Sequence, residues 1–284
     1  MLPALGDLEL GEITPARVRA WHAAMLRAES PGRSTAAKCY RLLKAMLNTA
    51  VDDEVLAKNP CTIRGAGVER PPERPVATIE QVYELADAVG PRYRAMVLTA
   101  AFTGLRLGEL LALRRRSVDL LHAEVAVVEQ LHETDAGELR FGPPKSDAGG
   151  RTVAVPASLR PELEEHLARY AAPGVDGLMF CGQEGQPLRR PNVYTIWNRA
   201  RRAVGVPELH FHDLRHTGNT LAAATGASTK ELMSRMGHGS PRAALIYQHA
   251  TRDRDHAIAR ALDDMIQATK SEVHTNESPR KEST

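Results

Sequence analysis

The heptapeptide HFHDLRH, residues 210–216, concentrates three histidines and one arginine in one short stretch of chain. If the stretch is helical, His212 and His216 lie one turn apart, and Arg215 shares nearly the same face. A metal site would use the two histidines, but a permanently charged arginine beside them would repel a cation, so we expect no metal site. Two interpretations stay open: a helix with capped or packed histidines, and part of a site for an anionic substrate.

A second stretch, TGLRLGELLAL at 103–113, places a charge at the start of an otherwise apolar helix. The charge belongs to Arg106, and a buried charge is costly unless it is paired. Glu109, one turn further on, either satisfies Arg106 as a structural ion pair or orients it towards an anion. Viewed alone, the stretch favours the structural pair.

Lysine is scarce in the middle of this arginine-rich chain, and Lys145 is the one lysine between Lys58 and Lys230. It follows two prolines in a turn between two predicted strands, so we expect it to project from a hairpin tip. A lysine can release a proton, whereas an arginine, with a pKa above about 12, cannot. Lys145 is therefore either a general acid or an ordinary solvated turn residue.

A fourth stretch, MGHGSPRAALIYQHAT at 236–251, contains His238 and predicts a helix capped by Ser240 with Pro241 at its first position. Tyr247 lies about two turns into that helix. Viewed alone, it is typical of a core tyrosine with a satisfied hydroxyl group.

Together these stretches supply six residues in order along the chain: Arg106, Lys145, His212, Arg215, His238 and Tyr247. The ordered set closely resembles the active site of the tyrosine recombinases, the phage integrase family, and especially of integrases from mobile elements in GC-rich bacteria. The resemblance extends from about Thr78 to Asp263. It implies a site-specific DNA recombinase that integrates or excises a mobile element through a 3′-phosphotyrosyl intermediate.

The resemblance also assigns roles to these residues. Tyr247 would be the nucleophile, His212 would take its proton as general base, and Lys145 would protonate the leaving 5′-oxygen. Because the covalent link conserves the energy of the broken bond, neither ATP nor a cofactor is implied.

Charge stabilisation follows the same resemblance. Arg106 and Arg215 would bind the negatively charged phosphorane, with Glu109 orienting Arg106. His238 would donate a hydrogen bond to a non-bridging oxygen. Since arginine and lysine side chains supply the positive charge, the chemistry does not call for a divalent metal.

The fold is predicted to be mainly α-helical with a small antiparallel β-sheet. The stretch at 13–28 predicts a helix capped by Thr14, with these apolar positions: Val18, Trp21, Met25 and Leu26. A second helix from near Ser34 towards Leu56 has its own apolar positions: Tyr40, Leu42, Leu43, Met46 and Leu47. Three short β-branched stretches, HAEVAVVEQ, ELRFG and RTVAVP, predict the sheet, and LMF at 178–180 is a candidate further strand.

A stretch at 65–76, rich in glycine and proline, indicates a domain boundary. We predict a helical core-binding (SAM-like) DNA-binding domain at 1–68, a linker at 69–77, a catalytic integrase domain at 78–268 and a disordered tail at 269–284. A capping box formed by Thr78 and Gln81 opens the catalytic domain. Since the first helices begin almost at once, we expect the core-binding domain to be shortened at its N-terminus and the arm-site-binding domain that precedes it in many integrases to be missing. A start inside a longer gene, a remnant and a shorter recombinase all stay open.

The formal charge of +2 does not by itself indicate a nucleic-acid partner. However, PLRRPNVYTIWNRARRA at 187–203 has no acidic residue and contains five arginines: Arg189, Arg190, Arg199, Arg201 and Arg202. They form either a basic helix along a DNA backbone or a solvated arginine face. The resemblance implies double-stranded DNA with attachment sites, a homotetramer on two DNA segments, and an accessory DNA-bending or directionality factor as a candidate partner.

Three dispersed cysteines without a CxxC pair argue against a disulfide framework and a zinc cluster. No apolar run approaches the roughly 20 residues of a membrane helix, and no signal pattern opens the chain, so we expect a cytoplasmic protein. Two alternative functions stay open. One is a type IB topoisomerase-like enzyme that relaxes supercoils, and the other is a non-catalytic, integrase-derived DNA-binding protein.

Overall fold

The computed structural model describes residues 2–28, 30, 32–69, 74–134, 136–145, 147–237 and 245. Contacts divide the chain into two units, Met1–Glu73 and Arg74–Thr284. Helices predominate and the strands pair antiparallel, which confirms the predicted mainly α fold with a small antiparallel β component. The predicted domain limits stay a prediction, and the predicted tail at 269–284 lies outside the described residues.

The first unit is built from helices α1, Leu2–Leu5, α2, Pro15–Arg27, and α3, Arg33–Asp52. As predicted, Thr14 caps α2, because its Oγ1 accepts a hydrogen bond from the backbone N–H of Arg17 at 3.3 Å. Trp21 and Tyr40 lie in the core that the two longer helices share.

Three apolar residues predicted on these helices are exposed, by 46%, 54% and 54%: Leu26, Leu42 and Met46. The buried face of α3 is set by Tyr40, Leu43 and Leu47, which repeat at helical spacing. Leu42 and Met46 fall beside this face because each residue advances a helix by about 100°.

The second predicted helix ends at Asp52 and does not continue towards Leu56. Glu54 has a φ of 58°, a left-handed conformation that a helix cannot continue through. The chain then folds back, and the backbone N–H groups of Val55 and Leu56 both donate to the carbonyl of Ala50.

The second unit contains helices α4, Ile79–Ala88, α5, Pro91–Thr103, α6, Leu107–Ala112, α7, Arg160–Arg169, α8, Arg190–Ala203, α9, Asp213–Ala224, and α10, Thr229–Met236. Its strands are β1, Val118–Asp119, β2, Glu124–Val127, β3, Gln130–Glu133, β4, Leu139–Gly142, and β5, Arg151–Ala154. The predicted capping box is present at the start of α4, where Thr78 and Gln81 exchange hydrogen bonds. In the part of the chain that is described, no helix has the length and apolar character needed to cross a bilayer.

The strands form two sheets, one ordered β1–β2–β5 and the other β3–β4. Because β4 pairs with β3 and β5 pairs with β2, the prediction of a hairpin carrying Lys145 at its tip is wrong. The loop that contains Lys145 instead connects the two sheets. The LMF stretch adds no strand, since its neighbourhood contributes only isolated bridges at Leu178 and Cys181.

Helix α5 is buried along most of its length and packs against α4 and α9. The contact with α9 is close at Gly218, where an added Cβ would lie 2.2 Å from the carbonyl oxygen of Ala101. Only glycine allows this approach. The packing brings the C-terminal end of α5 beside α9.

Candidate active site

Helix α9 begins directly after His212, and its first residue, Asp213, has a side chain that is only 1% exposed. Asp213 Oδ2 accepts a hydrogen bond from the backbone N–H of His210 at 2.8 Å and lies 3.2 Å from His210 Nδ1. Asp213 Oδ1 accepts from Arg74 Nη1 at 2.8 Å. His210 therefore supports the helix start. Over the described residues, no three side chains of histidine, cysteine, aspartate or glutamate form a cluster that could hold a metal.

Arg215 lies in the first turn of α9 and is 5% exposed. Its Nη1 donates to the carbonyl of Gly104, the residue that ends α5, and its Nη2 donates to the carbonyl of Met236 at 2.6 Å. A buried guanidinium group is costly unless its donors are paired. Arg215 thus joins α9 to the C-terminal ends of α5 and α10.

Arg106 precedes α6 and forms the predicted ion pair with Glu109, whose carboxylate is 1% exposed. Glu109 Oε1 accepts from Arg106 Nη1 at 2.7 Å, and its Oε2 accepts from the backbone N–H of Arg106 at 2.9 Å. Arg106 Nη2 donates to the carbonyl of Gly237 at 3.2 Å. Since 31% of the Arg106 side chain stays exposed, the ion pair fixes this guanidinium group without enclosing it.

A third arginine, Arg151 at the start of β5, was not anticipated from the sequence. Its side chain is 6% exposed, and its Nη2 donates to Glu109 Oε2 at 2.9 Å. Burial alone would raise the pKa of Glu109, but hydrogen bonds and charge from Arg151, together with Arg106, bring that pKa below its ordinary value. Glu109 is therefore an ionised carboxylate held between two arginines.

Three consecutive carbonyl groups at the end of α10 each accept a hydrogen bond from a different arginine. The carbonyl of Arg235 accepts from Arg151 Nε at 2.8 Å. Those of Met236 and Gly237 accept from Arg215 and Arg106. A helix C-terminus carries partial negative charge, so it suits guanidinium donors. One helix end therefore aligns three guanidinium groups that lie far apart in sequence.

The region carries more positive charge than Glu109 neutralises. The side chain of Arg235 also lies here, and burial, followed by the charge of Arg151, lowers the pKa of Arg235. Fixed positive charge of this kind favours an anion.

His212 keeps exposed surface at the start of α9. Partial burial lowers the pKa of this histidine, and the positive charges of Arg215, Arg74 and Arg106 lower it further, while Asp213 opposes them. A lowered pKa favours the neutral imidazole near neutral pH. Neutral imidazole can accept a proton.

Lys145 is exposed in the loop between β4 and β5. On one side of it, the carbonyl of Pro143 accepts from Gln130 Nε2 at 3.0 Å. On the other side, the carbonyl of Gly149 accepts from Arg151 Nη1 at 2.9 Å. The loop is therefore anchored on both sides of the lysine.

The two remaining members of the predicted set, His238 and Tyr247, lie outside the described residues. Gly237, the last residue before His238, ends α10 with a left-handed φ of 60°.

The five arginines predicted to bind DNA lie on or beside α8. Arg190, Arg199 and Arg202 are exposed. Arg189 Nη1 donates to Glu133 Oε1 at 2.9 Å and to the carbonyl of Gly137 at 2.7 Å. Arg201 is half-buried and donates to the carbonyl of Leu209 at 3.4 Å. Arg189 is exposed as well, so four of the five arginines are exposed, and Arg189 and Arg201 hold neighbouring segments.

The sequence contained one signal that could have identified Arg151. Alternate residues of a strand share a face, so Arg151 lies on the face of Val153, which is 1% exposed. The pairing of Arg74 with Asp213 had no comparable signal, because 139 positions separate the two residues.

The chain is similar in sequence and in fold to several known proteins. The model of the phage integrase family matches residues 76–254. The prophage phiRv2 integrase of Mycobacterium tuberculosis is 40% identical over 271 residues, which are 94% of this chain and 71% of that protein. The Tn1549 transposon integrase in complex with transposon right end DNA superposes with a TM-score of 0.77 at 22% identity, covering 91% of this chain and 88% of that chain. A lambda integrase tetramer bound to a Holliday junction superposes with a TM-score of 0.62 at 20% identity, covering 87% of this chain and 68% of that chain.

Proposed function

This chain belongs to the phage integrase family, and we propose that it cuts and rejoins duplex DNA with Tyr247 as the nucleophile. The family model and the relatives identify it as a site-specific integrase of the tyrosine recombinase class.

The phenolic oxygen of Tyr247 attacks the scissile phosphorus while the bond from phosphorus to the 5′-oxygen breaks. His212 accepts the phenolic proton, and the Lys145 ammonium group gives a proton to the leaving 5′-oxygen. The products are a 3′-phosphotyrosyl link and a free 5′-hydroxyl group. Attack by a 5′-hydroxyl group of a partner strand reverses these transfers and joins the new strand.

The observation that carries this proposal is the alignment of Arg106 and Arg215 on adjacent carbonyls, those of Gly237 and Met236. Two guanidinium groups fixed in advance stabilise the extra charge of the phosphorane without reorganising during the reaction. The same turn of chain continues directly into the sequence that holds His238 and Tyr247. His238 would add a hydrogen bond to a non-bridging oxygen.

The proposed partner is double-stranded DNA containing attachment sites, with four copies of the chain assembled on two DNA segments. The DNA complexes of the Tn1549 and lambda integrases support this proposal through the shared fold. The exposed Arg190, Arg199 and Arg202 would contact phosphates along α8. An accessory DNA-bending or directionality factor is proposed as a further partner.

A nicked duplex that carries attachment DNA and traps the covalent intermediate tests the nucleophile. Wild-type protein in EDTA should form a denaturant-resistant adduct with the DNA, and Tyr247→Phe should form none. Tyr194→Phe is the matched control, because Tyr194 is an exposed tyrosine on α8. An adduct that survives Tyr247→Phe would refute the assignment. Transfer of the cut strand to a second labelled duplex would separate recombination from relaxation of supercoils.

A further inference from the structure

The mechanism gives no role to the buried charged side chain of Arg151. This side chain is 6% exposed, and each of its nitrogen atoms donates to a different acceptor. Nε donates to the carbonyl of Arg235 on α10, Nη1 to the carbonyl of Gly149 in the Lys145 loop, and Nη2 to Glu109 on α6. The three acceptors surround one planar guanidinium group, and their distances span only 2.8 to 2.9 Å.

The Lys145 loop is held at its other side by a second buried group. Gln130 is 8% exposed, and its Nε2 donates to the carbonyl of Pro143 at 3.0 Å. Its Oε1 lies 3.8 Å from the position that a Cβ on Gly108 would occupy, in the first turn of α6. One anchor is thus bonded to α6 through Glu109, and the other belongs to β3, which packs against α6, the helix that Arg106 precedes.

The ammonium group of Lys145, by contrast, has neither a hydrogen bond nor an ion pair within the described residues. Within the described residues, no contact of its side chain holds this group in place. The backbone of the loop therefore sets the region that the ammonium group can reach.

We propose that Arg151 is a positioning residue for the proton-donating step. By bonding Gly149 and Glu109 at once, it fixes the backbone of the Lys145 loop relative to the Arg106–Glu109 pair, so that the Lys145 ammonium group reaches the leaving 5′-oxygen. This inference rests on the proposed role of Lys145 as general acid. A displacement of about 1 Å at a reacting group can cost about 100-fold in rate, so loosening this link should slow the step that uses Lys145.

An arginine is required at this position for geometric reasons. A lysine ammonium group also has three N–H donors, but they radiate from one nitrogen atom. The three acceptors bond three different nitrogen atoms of the planar guanidinium group, so one nitrogen cannot reach them all. Arg151→Lys should therefore keep the positive charge near Glu109 while releasing at least one carbonyl group.

The test replaces the 5′-bridging oxygen of the scissile phosphate by sulfur. A thiol has a pKa of about 8.5, so the sulfur leaves as a thiolate without a proton. An alcohol is closer to water, with a pKa of about 15.7, and needs the proton from Lys145. Initial rates of adduct formation are measured for two nicked duplexes that differ only in this atom. The sulfur-to-oxygen rate ratio is independent of the active fraction, because one protein preparation supplies both rates.

Lys145→Ala defines the ratio when the general acid is absent. Arg151→Lys should raise the ratio at least about tenfold above wild type, towards that value. Gln130→Leu, which releases the other side of the loop, should raise it as well. Arg92→Lys is the matched control, since Arg92 also donates to two carbonyls, those of Tyr170 and Gly182, and should leave the ratio unchanged.

Equal slowing of both substrates by Arg151→Lys would overturn the proposal and make Arg151 a purely structural residue. If Arg151→Lys yields no soluble protein, an unchanged ratio in Gln130→Leu would overturn the anchored loop on which the proposal depends. A wild-type adduct combined with an unchanged ratio in Lys145→Ala would instead refute the role of Lys145, leaving Tyr247 as the nucleophile. Absence of any wild-type adduct would refute the proposed chemistry as a whole.

Discussion

The close contact between α5 and α9 gives the most direct prediction for Gly218→Ala. The new Cβ would lie 2.2 Å from the carbonyl oxygen of Ala101 and 3.4 Å from the backbone nitrogen of Gly104. Because these neighbours are backbone atoms, α9 must move away from α5. Overpacking of this kind costs about 1–3 kcal/mol, and a backbone clash belongs near the upper end. We expect a loss of about 2–3 kcal/mol, which lowers the Tm by about 4–12 °C for a unit of this size.

The same movement would shift Arg215 away from the carbonyl of Gly104, and a displacement near 1 Å should slow adduct formation by about 100-fold. Thermal unfolding can be followed through Trp197, which is 2% exposed, in a Trp21→Phe background that silences the first unit. Gly142→Ala is the control, since its Cβ would meet only His132, at 3.9 Å. A Gly218→Ala protein that melts within about 2 °C of wild type and forms the adduct at the wild-type rate would refute this account of the packing.

Two further predictions concern charge. Glu109→Gln should cost about 3–5 kcal/mol of unfolding free energy near neutral pH, because it removes the carboxylate of a buried ion pair. The pKa of Glu109 is lowered in the folded protein, so the stabilisation by its carboxylate is complete above the unfolded pKa of about 4.3 and is lost as the pH falls through the lower folded pKa. Urea titrations across that range should therefore show that the unfolding free energy of Glu109→Gln depends less on pH than that of wild type. Parallel pH profiles for the two proteins would contradict this prediction. Arg74→Met should raise the pKa of His212, because it removes a positive charge and frees the negative charge of Asp213, so the acid limb of the adduct rate moves to higher pH. The pH profile of the adduct rate checks this, with Arg160→Met, an exposed change, as control; an unmoved limb for Arg74→Met would exclude the electrostatic link.

Local signals predicted the local structure well. The caps at Thr14 and Thr78 formed as expected, because a side-chain hydroxyl group and the backbone N–H groups of the following turn are neighbours in sequence. The pairing of Arg106 with Glu109 was foreseeable for the same reason, since one helical turn separates them.

Strand pairing was less predictable, because β2 pairs with β5 although β3 and β4 lie between them in the sequence. A turn signal indicates pairing only between strands that follow each other directly. The side on which Leu42 and Met46 lie also depends on which other apolar positions pack against α2. The convergence of Arg106, Arg151 and Arg215 on one helix end depends on contacts between residues far apart in the chain. Arg106 and Arg215 were predicted from the sequence, but neither Arg151 nor the helix end that accepts all three hydrogen bonds was predicted.

The acceptors at the end of α10 have an evolutionary consequence. Carbonyl groups belong to the backbone, so replacing the side chains of Arg235 or Met236 leaves the acceptors for Arg151 and Arg215 in place. Most side-chain substitutions at this end of α10 should thus leave the alignment of the guanidinium groups unchanged. Gly237 is the exception, because a Cβ there would lie 2.8 Å from the carbonyl oxygen of Ala148. Related sequences should therefore vary at the exposed positions of α10, while keeping apolar residues at the buried Leu232 and Met236 and glycine at its end.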